Sequence, residues 1–151
     1  MNVIDSLLDK VKQYNEALSD GTYLSRIILD HEAEICYMNT ESQLFERGVN
    51  RVGVEIMDYA PYHPYTIELK ELKGQPTNRV TLRDEGDFHR SFKVQTYPDR
   101  FLIYATDGKT EWLMRKYGRQ IIGLTDENAE ELAQSYIKPE LVDKAWEVIM
   151  N

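Results

Sequence analysis

Two short runs between Phe92 and Ala105 place apolar residues at every second position. Phe92, Val94 and Thr96 alternate with Lys93 and Gln95, and Phe101, Ile103 and Ala105 alternate again beyond Tyr97-Pro98-Asp99-Arg100. In an extended chain successive side chains point to opposite faces, so each run presents one apolar face, and the Tyr-Pro-Asp-Arg step supplies the reversal between them. The expectation is a β-hairpin. It dictates a small antiparallel sheet that the rest of the chain must cover.

The flanking regions carry a helical period instead. Val3, Ile4, Leu7, Leu8, Val11 and Tyr14 recur at three- and four-residue spacings with Asp5, Asp9, Lys10 and Lys12 between them, which predicts an amphipathic helix over roughly 3–18. Ser19 to Thr22 offers turn and cap chemistry. A second helix carries Leu24, Ile27, Ile28, Ile35, Met38 and Leu44 on its apolar side and ends near Arg47, with Gly48 placed for a left-handed cap. Val52, Val54 and Ile56 then alternate with Gly53 and Glu55 as a short strand would, leading into an aromatic loop at Tyr59, Tyr62 and Tyr65.

Thr66 to Lys73 forms one or two helical turns closed by Gly74-Gln75-Pro76. A short strand over Arg79 to Leu82 turns at Gly86, with Asp87 capping a single helical turn. After the hairpin, Glu111 to Tyr117 reads as a short helix stopped at Gly118. Thr125 or Asp126 caps a helix through about Ile137, and Pro139 opens another through Met150. The fold class is therefore α+β: N-terminal helices, a small antiparallel sheet with a β-hairpin, and C-terminal helices. The whole of 1–151 is expected to be one domain.

Charge and composition narrow the function. The chain has 26 acids against 18 bases, a formal net charge of -8, which opposes affinity for a phosphate backbone and predicts no specific nucleic-acid binding. A single cysteine, Cys36, rules out an internal disulfide framework and fits a reducing compartment. No run approaches the roughly 18 apolar residues of a membrane helix. The first nine residues lack a basic stretch followed by a long apolar core, so neither a signal peptide nor membrane association is expected.

Catalytic signatures with recognisable spacing are absent: there is no GxGxxG, GxxxxGK, HExxH or CxxC. The nearest approach to chemistry is Asp84, Asp87 and His89, hard-metal or acid-base groups beside one turn. Asp84 and Asp87 are equally the residue types that satisfy backbone N–H groups at turns and helix starts, with His89 then on a solvated turn. The reading is of a non-enzyme without cofactor or metal. The candidate interface is Tyr59, Tyr62, His63 and Tyr65, with Phe88. Rigid amphipathic tyrosines suit protein contacts, and the same rings could instead close over the sheet as a satellite core. The acids of the C-terminal region read as solvated helix faces.

Gln43-Leu-Phe-Glu-Arg-Gly48, Gly53-Val-Glu-Ile56, Tyr59-Ala-Pro61, Tyr65-Thr66 with Lys70, and Val80-Thr-Leu-Arg-Asp-Glu-Gly86 with Phe88, Ser91 and Phe92, taken in order, resemble the small tail-completion, neck and virion-morphogenesis proteins of tailed bacteriophages. The resemblance covers roughly Gln43 to Asp107. It implies a structural virion protein, a head-tail connector or tail-completion subunit, present in the host cytoplasm during assembly and then in the neck or tail. It further implies a homo-oligomeric ring that contacts other virion proteins of the portal, neck or tail. The acidic balance suits a ring whose lumen does not hold DNA. Two other functions compete with it: a protein-binding module directed at a host or phage partner through the tyrosine loop, and a small metal-dependent hydrolase at Asp84, Asp87 and His89.

Overall fold

The computed structural model describes residues 2–151. Helices α1 (Val3–Ser19), α2 (Thr22–Asp30) and α3 (Glu32–Tyr37) open the chain, and α3 runs without interruption into a π-helical stretch, Met38–Arg47. Short helices α4 (Ile56–Tyr59), α5 (Pro64–Leu72) and α6 (Asp87–Arg90) precede strands β1 (Phe92–Thr96) and β2 (Phe101–Ala105). Helix α7 (Thr110–Tyr117) and a 3-10 turn, Arg119–Ile121, follow. Then come α8 (Asp126–Glu131), a second π-helical stretch, Leu132–Ile137, and α9 (Lys138–Met150). The fold is α+β, with helices before and after one two-stranded antiparallel sheet.

The hairpin has the register its alternation dictates. Phe92 pairs with Ala105, Val94 with Ile103 and Thr96 with Phe101, and the Tyr97 amide closes the turn on the Arg100 carbonyl at 2.7 Å. Phe92 and Val94 are buried while Lys93 and Gln95 are exposed. Two apolar clusters meet at the sheet. Leu44, Ile56, Val80, Phe88, Phe92 and Ile121 belong to one, Ile28, Ile35, Met38, Val94 and Leu132 to the other, and Cys36 and Ile103 touch both.

Buried amides fasten the α3–π helix to the chain that follows α7. Asn39 donates from Nδ2 to the Ile121 carbonyl (3.0 Å) and accepts from the Gly123 amide (2.7 Å). One turn on, Gln43 donates to the Gly123 carbonyl (2.8 Å) and accepts at Oε1 from the Thr125 amide (2.9 Å) and from Asn128 Nδ2 (2.8 Å). Residues 121–125 thus have their backbone groups satisfied by side chains where a strand would use a neighbouring strand, as burial of peptide groups requires. Thr125 is the α8 cap, its hydroxyl accepting from the Asn128 amide.

Several expected elements take another form. Residues 52–56 are not a strand: Asn50 Oδ1 accepts from the Val52 (3.0 Å) and Val54 (3.1 Å) amides, folding the segment into a loop closed by one Val49–Glu55 bridge. Residues 79–82 join no sheet. The Thr81 amide donates to the Tyr62 hydroxyl (3.0 Å), its carbonyl meets His89 Nε2 (3.0 Å), and Leu82 adopts a left-handed φ of 55°. Gly86, at φ 92°, occupies the cap position of α6 and places Asp87 in the first turn. The helix expected over 24–47 bends at His31, whose φ and ψ of -104° and 21° separate α2 from α3. Pro139 stands in the first turn of α9, as expected, although no break separates that helix from the one before it. It lies where the Leu132–Ile137 π stretch passes into α9, as fits a residue that donates no amide hydrogen and crowds the preceding turn.

Candidate functional site

The tyrosine-rich loop does not present one face. His63 caps α5, its Nδ1 accepting from the Tyr65 amide at 3.1 Å, and Pro64 occupies the first turn. His63 and Tyr65 are exposed there. Tyr62 turns inward: its hydroxyl takes the Thr81 amide, its ring packs against the Leu44–Ile121 cluster, and the Lys70 ammonium stands 5.0 Å from the ring centre. Tyr59 donates its hydroxyl to the Tyr117 carbonyl at 2.7 Å yet leaves much of its ring open. Phe88 leaves the interface set. It is only 3% exposed and packs edge-to-face on Phe92, with ring centres 5.0 Å apart, because α6 turns it into the core.

Asp84, Asp87 and His89 are drawn apart by their own partners. Asp84 accepts from Lys73 Nζ (2.8 Å) and Gln75 Nε2 (3.0 Å), and those bonds hold its carboxyl below the usual carboxylate range. Asp87 pairs with Arg90 on the next turn. His89 is not on a solvated turn. It is largely buried against Thr81, its Nδ1 has no partner, and burial pushes its pKa down to about 4. Among the described residues no three His, Cys, Asp or Glu side chains are placed to hold a metal ion. No described helix is long and apolar enough to cross a membrane.

The unsatisfied surface is apolar and lies elsewhere. Helix α1 has no buried residue; Val3 is 84% and Ile4 68% exposed, and Leu7, Leu8 and Val11 are exposed as well. The helix is held to the body on its other side, where the Tyr14 hydroxyl donates to the Leu141 carbonyl of α9 (2.9 Å) and the Tyr14 and Tyr23 rings lie 5.7 Å apart. Ile4, Leu8 and Val11 follow one another along the helix at spacings of four and three, so they form a single outward stripe.

A second apolar surface is concave. Val52, Val54 and Tyr59 on one side and Lys116, Tyr117, Gly118 and Gln120 on the other line a cleft of about 460 Å³. Val52 is 68% exposed. The Asn50-bonded loop holds the two valines out, and the Arg51 amide donates to the Gln120 carbonyl (2.8 Å), fixing the two walls to each other. The Lys116 ammonium lies 5.2 Å from the ring centres of both Trp112 and Tyr117, and Trp112 is itself exposed.

No protein-family model, curated protein or solved structure matches this chain.

Of the aromatic residues expected at an interface, the structure brings Tyr59 alone into this cleft. Val52, Val54, Trp112 and Lys116 went unrecognised. Val52 and Val54 carry the alternation of a strand, though Asn50 before them and Gly53 between them supply loop chemistry. The signal for the basic wall is Arg115, Lys116 and Arg119 in a stretch with no acid between Glu111 and Asp126.

Proposed function

We propose that this protein is a non-catalytic structural subunit that acts by assembling with other protein chains. With the resemblance of residues 43–107, the assembly is the neck or tail of a tailed bacteriophage, and the chain is a head-tail connector or tail-completion subunit that forms a ring. The observation that carries this reading is the outward stripe Ile4, Leu8 and Val11 on a helix that contributes nothing buried to its own core. A contiguous apolar stripe left in water is a characteristic of a surface that another chain covers. Asp84 and Asp87 support the same reading, because each is engaged by a basic side chain rather than aimed with His89 at a common point.

The test is light scattering coupled to size-exclusion chromatography over a range of protein concentrations, with negative-stain images of any large species. Closed rings of many copies are the expected result. A strict monomer at the highest attainable concentration, together with absence from purified particles, would sink the reading. Capture of the monomer by one defined non-virion protein would replace it with a binding module whose contact is the Val52–Tyr59 cleft.

A further inference from the structure

The self-assembly reading leaves open which surfaces meet. We propose that the cleft formed by residues 50–59 and 116–120 receives helix α1 of a second copy of this chain, so that copies join head to tail. The inference rests on the self-assembly reading and identifies its interface.

The two surfaces match in shape of contact and in charge. A helix that docks into an apolar groove reads it with residues at i, i+3 or i+4, and i+7. On α1 these are Ile4, Leu7 or Leu8, and Val11, all exposed. At 1.5 Å per residue they span about 10 Å. The cleft offers Val52, Val54 and the open side of Tyr59 to cover them, with Trp112 beside it. Tyrosine and tryptophan are the residue types that carry most energy in such contacts.

The charge on each surface is opposite in sign. Lys116 lines the cleft, and Arg51, Arg115 and Arg119 adjoin its lining residues along the chain; all four are exposed, and none makes an ion pair among the described residues. The 50–59 wall brings only Glu55 and Asp58 against them, and the 115–120 wall brings no acid. In a chain of net charge -8 this is a local reversal of sign. Around the α1 stripe stand three acids, Asp5, Asp9 and Glu16, against two bases, Lys10 and Lys12, and none of these acids is ion-paired among the described residues. Both halves of the contact are thus displayed by every copy. Because they are different patches, the contact is heterologous and propagates until a ring closes. Complementary rims steer such encounters, and like charges placed face to face oppose them.

Two charge-reversed chains test the inference. The first carries Lys116→Glu and Arg119→Glu, the second Asp5→Lys and Asp9→Lys, and circular dichroism verifies that each is folded. Sedimentation velocity in low salt is expected to find each chain alone weakened in self-association by about a hundredfold, the scale of opposed like charges. Mixed in equal amounts they are expected to regain assembly, because the basic helix then faces the acidic cleft and the acidic helix faces the basic one. Wild-type assembly that survives the first pair of substitutions overturns the inference while leaving self-assembly standing; it would point to a symmetric contact of α1 with α1. Loss in both chains without recovery on mixing also overturns it. A wild-type chain that stays monomeric overturns the self-assembly reading and the inference together.

Discussion

Gln43 has no exposed surface, and its amide bonds close on one short stretch of chain: the Gly123 carbonyl, the Thr125 amide and the Asn128 side chain. A leucine fits the apolar surroundings but leaves these groups buried without partners, and each such loss costs about 1–3 kcal/mol. Gln43→Leu is therefore expected to lower stability by about 3 kcal/mol or more in urea unfolding. A change below about 1 kcal/mol would mean that Ile121 and Ile122 hold residues 121–125 by packing alone. His89 makes stability depend on pH. The unfolded chain takes up a proton near pH 6.5, whereas burial keeps the folded imidazole neutral down to about pH 4. The stabilisation is complete above pH 6.5 and is lost as the pH falls toward 4, a change of up to about 3 kcal/mol. Urea midpoints at pH 7.5 and 5 should differ accordingly, and His89→Gln should remove most of the difference. Burial likewise pushes the Cys36 thiol up to about 11, so alkylation of the folded chain at pH 7.5 should be far slower than that of the unfolded chain.

Elements form where local chemistry and the core agree. The hairpin was legible because two alternating runs and their turn residues need no distant partner to be recognised. The Gly48 cap was legible for the same reason: the Gly48 amide donates to the Leu44 carbonyl and the Val49 amide to that of Gln43. Alternation over 52–56 suggests a strand because it cannot reveal that Asn50 supplies from its side chain the bonds a neighbouring strand would supply. The π-helical stretch that turns Asn39 and Gln43 toward residues 121–125 was illegible, since its partners lie about eighty residues away. Gly21 sets the joint between α1 and α2. Its φ is 79°, and an added Cβ would come within 2.5 Å of the Pro98 carbonyl oxygen in the hairpin turn. Gly21→Ala should cost more than about 2 kcal/mol, combining left-handed strain with a backbone clash. Gly53→Ala is the matched control: φ is 84°, open space surrounds it, and about 1 kcal/mol of strain is expected. Equal losses in thermal unfolding would show that close approach to Pro98 does not matter.

Across the whole molecule, burial is unevenly shared. Ile35, Leu44, Ile56, Val80 and Ile121 are fully enclosed, and Cys36 and Ile103 join the two clusters around the sheet, whereas α1 and α9 contribute no buried residue. Helical stability in proteins comes mostly from packing of an apolar face, so an element whose apolar face is in water opens at low cost. Amide hydrogens of α1 should exchange by local opening, and those of the Met38–Arg47 stretch and of β1 only when the whole chain unfolds. The same imbalance predicts that Ile4→Ser with Leu8→Ser leaves the free energy of unfolding in urea within about 0.5 kcal/mol of wild type, because both side chains are already exposed. Assembly should respond in the opposite sense. If another copy covers the stripe, protection of α1 amides rises with protein concentration, and the double serine variant loses that rise while keeping its slow-exchanging core. Concentration-independent exchange in α1, measured where light scattering finds an assembled species, would place the contact on some other surface. Protection of α1 equal to that of β1 in the monomer would mean that its link to α9 and α2 is far stronger than one Tyr14–Leu141 bond and a tyrosine contact account for.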